Sequence, residues 1–93
     1  MGDVIDYIPV TTSYGVVKLI APPLFVGQTL SDLGFGFKGK WKVAVLLMLR
    51  KQEVTITPSS TEVVKSGDTL IVSGNWDSLE EVINKFPKTK TEQ

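Results

Sequence analysis

Lys42-Val43-Ala44-Val45-Leu46-Leu47-Met48-Leu49-Arg50 is the stretch whose reading decides the fold. Seven consecutive apolar residues, Val43 to Leu49, are bounded by charge on both sides. The run is too short for a membrane span, which needs about 20 apolar residues. It predicts a long strand over Lys42 to Arg50. Lys51-Gln52 then reads as a tight turn, and Glu53 to Thr57 as a second strand. There Val54 and Ile56 alternate with polar neighbours, the pattern of a half-buried strand. Pro58 cannot donate to a ladder and stops it.

Further strands flank this pair. Val4 to Val10 is the first, and Thr11 to Tyr14 is a polar break. Gly15 to Ala21 is the second. Val16, Val17, Leu19 and Ile20 are nearly all apolar, which predicts cover on both faces. Pro22-Pro23 ends it. Gln28 to Leu33 predicts a short helix, with Thr29 as cap and Asp32 as its capping-box partner. Gly34, Gly36 and Gly39 break regular structure. Downstream, Ser66-Gly67-Asp68 has turn composition, and Thr69 to Ser73 is a short apolar strand closed by Gly74. A helix follows, with Asp77 as N-cap and Glu80 completing the box. Its Leu79, Val82, Ile83 and Phe86 fall on one stripe, and Pro87 ends it. The expected fold is a small two-layer α+β domain. It has a mainly antiparallel sheet of four to five strands, one short helix and one C-terminal amphipathic helix.

Composition narrows the function. The chain has 93 residues, 42% hydrophobic and 22% charged, enough for one domain. Val, Ile and Thr supply 27 of them, a β-leaning balance. Ten Lys/Arg offset ten Asp/Glu. A zero net charge argues against nucleic-acid binding, which runs on excess positive charge. Cysteine and histidine are both absent. This excludes disulfides, thiolate nucleophiles and the usual zinc ligands and general base. The expectation is a non-enzymatic cytoplasmic domain without direct membrane insertion.

Two motifs compete with bland readings. Gly34-Phe35-Gly36-Phe37-Lys38-Gly39 matches GxGxxG, and with Lys40 it matches the start of a phosphate loop. Both require a strand before and a helix after. Here a short helix comes before and a strand after, and Trp41 stands where a magnesium-holding hydroxyl belongs. A helix-to-strand connection is the preferred reading, so tight NAD or ATP binding is not expected. Lys38, Lys40 and Lys42 alternate with Phe37 and Trp41. This pattern suits either a phosphate-bearing, base-stacking ligand or a charged strand edge that resists aggregation. The carboxylates form no acid/base pair: Asp77 and Glu80 are explained by capping, and Asp68 by its turn.

The ordered segments resemble a known family. Val4-Ile5-Asp6-Tyr7 leads into Gly15-Val16-Val17-Lys18-Leu19. Then come Phe25-Val26-Gly27-Gln28-Thr29-Leu30, the long strand ending in Arg50, Ile56-Thr57-Pro58, and Lys65-Ser66-Gly67-Asp68-Thr69-Leu70-Ile71-Val72-Ser73-Gly74. This series is similar to the C-terminal domain of regulators of potassium conductance, the TrkA-C domain. The resemblance covers roughly Val4 to Phe86. It implies a domain over 4–87, residues 1–3 as an added start and 88–93 as a flexible tail. It further implies an excised piece of a longer chain with an upstream Rossmann domain.

The same resemblance implies a ligand-sensing, dimerising regulatory domain of a potassium channel or transporter system, peripheral to the membrane. The alternative is a structural dimerisation domain without its own ligand. Some family members bind cyclic di-AMP at a dimer interface. The corresponding positions here are Lys40, Trp41, Lys42, Val43, Ala44 and Pro58. The arginine and asparagine that help hold the ligand in the best-matching members have no clear counterpart here, because Gly36 and Ala44 fall near their positions. No cofactor is implied in this chain; a small anionic ligand is, with cyclic di-AMP as its leading candidate. The partners implied are a second copy and a membrane potassium channel or transporter subunit. The apolar run Val43 to Leu49 also favours a homodimer, since two copies meeting on a two-fold axis bury it isologously.

Overall fold

The computed structural model describes residues 4–85. Residues 1–3 and 86–93 lie outside them, and with them the expectations of an added start, of Phe86 and Pro87 at the helix end and of a tail. In chain order the elements are β1 (Val4–Pro9), β2 (Tyr14–Ile20), a 3-10 turn (Pro23–Phe25), α1 (Leu30–Leu33), β3 (Ala44–Arg50), β4 (Glu53–Ile56), β5 (Thr69–Asn75) and α2 (Trp76–Lys85). The five strands form one sheet in the order β1-β2-β5-β3-β4, and every neighbouring pair is antiparallel. The fold is the expected small α+β domain, with β5 inserted at the centre of the sheet.

Register sorts the side chains onto two faces, because neighbours along a strand point opposite ways. On one face run the rows Tyr7–Val17–Val72–Val45 and Val4–Leu19–Leu70–Met48. Val17, Leu19, Leu70, Val72 and Met48 are buried there. Leu79 and Val82 from α2 join the same cluster. So do Phe25, Leu30, Leu33, Phe35, Val43 and Val64 from the connections. Gly15 makes room for this layer, since a Cβ there would run into the Trp76 indole.

The other face carries three rows: Ile8–Val16–Ser73–Ala44, Asp6–Lys18–Ile71–Leu47–Ile56, and Ile20–Thr69–Leu49–Val54. None of these side chains belongs to the buried core. This corrects two expectations. In β2, Val17 and Leu19 are covered, but Val16 is only half-buried and Ile20 is exposed. In β4, all four residues are exposed, with Ile56 at 73%. Alternation identified which residues share a face, but nothing in the described domain covers that face.

Local chemistry sets the boundaries. Thr29 Oγ1 accepts from the Asp32 amide at 3.0 Å and caps α1, as expected. The cap of α2 differs from the expectation: Asn75 Oδ1 accepts from the Ser78 amide at 2.9 Å, and Asp77 lies in the first turn. Asn75 is the last residue of β5, so strand and helix are contiguous and the cap moves forward. The long strand begins at Ala44 rather than Lys42, because Lys42 has φ 60° and cannot continue a ladder.

A charged clamp holds the connection from β4 to β5. Asp68 is fully buried, and Arg50 binds it bidentately, Nε to Oδ1 at 2.9 Å and Nη2 to Oδ2 at 2.8 Å. Nη2 also donates to the Val63 carbonyl at 3.0 Å, while Nη1 lies 3.4 Å from Glu62 Oε2. The Lys65 amide donates to Asp68 Oδ2 at 2.8 Å. The turn alone therefore does not explain Asp68. Its segment is in turn fastened to α1: Gly27 donates to the Val64 carbonyl at 2.8 Å, and Leu30 to the Glu62 carbonyl at 3.1 Å. Burial acts to raise the Asp68 carboxyl, but the Arg50 hydrogen bonds, the Lys65 amide and the charges of both residues outweigh it. Its pKa is held below the ordinary value.

A lowered carboxylate stabilises the fold above its unfolded pKa of about 4, and that contribution is lost as pH falls through the folded value. Asp68→Asn leaves the Arg50 guanidinium without its partner. Arg50 is partly exposed, so the expected cost at pH 7 is about 3 kcal/mol, the lower end for breaking a buried pair. Urea denaturation from pH 7 to pH 3 checks this. Wild type loses stability below about pH 4 and the variant loses less, since the Asp68 share is already gone.

Candidate functional site

The loop from Gly34 to Val43 positions the residues singled out from the sequence. Gly34 closes α1 in a left-handed conformation, φ 98°. The chain then doubles back: the Gly36 amide donates to the Val43 carbonyl at 2.8 Å, and the Trp41 amide to the Gly34 carbonyl at 3.3 Å. The glycine segment lies between a preceding helix and a following strand. That order does not present a helix N-terminus to a phosphate.

The six predicted ligand residues separate into distinct environments. Trp41 is 6% exposed, and its Nε1 donates to the Leu33 carbonyl at 2.8 Å. Its indole is a core side chain. Lys40 is exposed and sets its Nζ 4.9 Å from the Trp41 ring centroid. These two line a shallow depression with Asp77, Glu80, Glu81 and Asn84 of α2. Val43 is fully buried in the core. Lys42 and Ala44 are exposed and line a different groove, on the open face of the sheet. Pro58 is half-buried beyond β4, after Thr57 has donated to the Leu46 carbonyl at 2.8 Å.

The groove holding Lys42 and Ala44 has a volume of about 660 Å³. Its floor follows the outer row through Val16, Ser73 and Ala44, and Tyr14 and Phe37 also line it. Phe37 is 86% exposed. Among the groove's lining residues Lys42 is the one charged side chain, so the site is cationic. Sequence reasoning did not single out Tyr14, and it treated Phe37 only as a neighbour of the lysines. The available signal was an aromatic between Gly36 and Lys38, at a position in neither helix nor strand.

This arrangement is a small one-sided sheet domain with a groove on its bare face. It contains no helix long and apolar enough to cross a membrane among the described residues. The TrkA-C domain model matches residues 16–86, and the chain belongs to that family. It is 28% identical over 89 residues to Ktr system potassium uptake protein C of Bacillus subtilis (strain 168), covering 96% of this chain and 39% of that protein. It is 34% identical over 61 residues to the uncharacterized protein YrvC of the same organism, covering 64% of this chain and 36% of that protein. The chain thus spans less than two fifths of each of these relatives. The potassium transport protein KtrA C domain, solved in complex with cyclic di-AMP, superposes with a TM-score of 0.69 at 24% identity, covering 76% of this chain and 81% of that one. The GsuK channel bound to NAD superposes at 0.64 with 14% identity, covering 80% of this chain and 13% of that one. At these identities the structural likeness establishes the fold.

The left-handed backbone at Lys42 yields a test of the groove's geometry. A non-glycine residue at φ 60° carries strain of order 1 kcal/mol, and a β-branched one carries more. Lys42→Val is expected to cost about 1–2 kcal/mol, while Lys42→Gly costs essentially nothing, because glycine adopts this conformation freely. Urea midpoints of the two variants check the difference.

Proposed function

We propose that this chain is a ligand-sensing, dimerising regulatory domain of a potassium channel or transporter system, acting by binding rather than catalysis. The single observation that carries the reading is the bare outer face of the sheet. Ile8, Ile20, Val54 and Ile56 are exposed on it, and the apolar Val16, Ile71, Leu47 and Leu49 are only partly covered. Exposed apolar surface of this extent marks an interaction site. A second copy suits it, since the same patch then covers itself about a two-fold axis. The family membership and the likeness to Ktr system components support a potassium transporter as the further partner, with the domain on the cytoplasmic side of the membrane. The parent chain carries a nucleotide-binding domain upstream on this reading, which fits the share of the relatives that the present residues span.

Cyclic di-AMP is the leading ligand, because a two-fold symmetric dinucleotide meets equal residues in both copies. The likeness to the KtrA domain supports it. The binding segment is Lys40 to Ala44 with Pro58, and Lys42 and Ala44 are its groove-lining members. The burial of Trp41 favours the second reading, dimerisation without a ligand, because it withdraws one stacking face from the segment.

Light scattering after gel filtration is expected to give twice the chain mass at high micromolar concentration; a clean monomer overturns the dimer. Ile56→Lys removes an apolar side chain worth about 1.5–3 kcal/mol when buried, and a two-fold interface loses it twice. The variant is therefore expected to dissociate at least about 100-fold more readily. Calorimetry with cyclic di-AMP then separates the two readings. Saturable heat supports sensing, and its absence at millimolar protein and ligand leaves dimerisation alone.

A further inference from the structure

On the helical side of the sheet, cover runs out at β1. The helix α2 packs mainly over β5 and β2, because a helix about 10 Å wide spans about two strands at their usual spacing. Val4 and Tyr7 of β1 point to that side, in the rows of Leu19 and Val17. Tyr7 is nevertheless 63% exposed. A step remains between β1 and α2, a groove of about 340 Å³ walled by Val4, Tyr7, Trp76, Leu79 and Ile83. The Trp76 indole lies over Gly15, where a Cβ would strike it. The Tyr7 ring meets that indole edge-on, with centroids 6.1 Å apart. The rim is charged on one side. Glu80 lines the groove and also a neighbouring depression that holds Asp77 and Glu81. These carboxylates are exposed on α2, and Lys40 is the one cation lining the depression. Among the described residues no basic side chain lines the groove itself.

We infer that this groove is a docking surface for an amphipathic helix of a partner protein. Its apolar side chains sit between Tyr7, Trp76 and Ile83, and Lys or Arg along its flank faces Asp77, Glu80 and Glu81. An apolar cleft of this kind suits helical anchors spaced at i, i+3 or i+4, and i+7. The acidic rim selects the sign of the flanking charge. An extended segment is disfavoured. It would have to pair with the outer edge of β1, which is interrupted by a bulge between Val4 and Asp6 and closed by Pro9. A second copy is disfavoured too, since a two-fold contact brings the same acidic rim to both sides, and like charges repel. The inference goes beyond the regulatory reading. The groove lies on the helical side of the sheet, away from the bare face assigned to self-association, so the two contacts use different residues.

The test is NMR of the full chain titrated with amidated peptides of about 18 residues, five helical turns. One carries Leu on a single helical stripe and Lys elsewhere. A second has the same stripe with Glu elsewhere. A third has the composition of the first in an order that abolishes the stripe. The striped Lys peptide is expected to shift the Trp76 indole and the Ile83 methyls saturably and to bind about tenfold or more tighter than either control. Its affinity falls from about 0.1 M to 1 M salt, as the screening length drops from about 10 to 3 Å. Tyr7→Ala removes an exposed ring outside the core and is expected to weaken binding about 30-fold, the effect of losing an aromatic anchor. Glu80→Lys changes an exposed helix position; it weakens the Lys peptide and strengthens the Glu peptide. The inference is overturned if the Lys and Glu peptides bind alike, if both variants bind as wild type does, or if the shifts fall on Ala44, Leu49 and Ile56 of the bare face. Light scattering judges self-association separately, and neither variant is expected to change it.

Discussion

The packing of this domain is governed by a shortage of cover. Five strands present two faces, and the helices and connections available fill one of them. The 3-10 turn, α1, the glycine loop and α2 all contribute to the single cluster around Val17, Leu70 and Val72. The three rows on the opposite face are left to solvent or to another molecule. A chain of this length buries only about 60–65% of its unfolded surface, so a one-sided sheet is a natural outcome of its size. The bare face is largely apolar, with Asp6, Lys18, Thr69 and Ser73 as its polar members, whereas a face meant for water is mostly polar.

One ion pair makes that one-sided cover possible. The segment after β4 must cross from the sheet edge to the central strand β5 while staying in contact with α1. Arg50 closes β3 and reaches Asp68 at the threshold of β5, so the far end of the crossing is tied to β3 by two charge-assisted hydrogen bonds. The same guanidinium takes the Val63 carbonyl, and the carbonyls of Glu62 and Val64 then receive the amides of Leu30 and Gly27. The Thr29–Val63 bridge completes the strap. The buried carboxylate is tolerated because its oxygens meet Arg50 and the Lys65 amide rather than apolar surroundings.

How much of this was legible follows from the range of each interaction. Strand and helix positions were readable, since apolar runs, the Thr29 cap and the Leu79–Val82–Ile83 stripe are local signals. The insertion of β5 between β2 and β3 was not, because strand order depends on long-range pairing. Asp68 read as a turn residue because its partner is Arg50, 18 positions away. Alternation in β4 was read correctly as two faces and wrongly as one covered face, since periodicity reports direction and not burial. At the candidate site, the sequence placed an aromatic and lysines together. It did not show that Trp41 turns inward to Leu33 while Phe37 turns out, since both are aromatics beside lysine in the same glycine-rich connection.

The groove and the bare face are not independent surfaces. Val16, Ser73 and Ala44 belong to both: they floor the groove and form one of the three outer rows. A molecule seated on that row alters the surface that a second copy meets. On the proposed function, binding at the two surfaces is therefore linked, and the linkage is reciprocal. Whatever factor a ligand contributes to self-association, self-association contributes to ligand affinity. The sign depends on fit. A molecule that lies flat over Val16, Ser73 and Ala44 adds apolar surface flush with the face and tightens the pair. One that projects beyond the floor holds the copies apart. On the proposed function the domain needs no moving core to act as a sensor, because the central strands β2, β5 and β3 carry both surfaces.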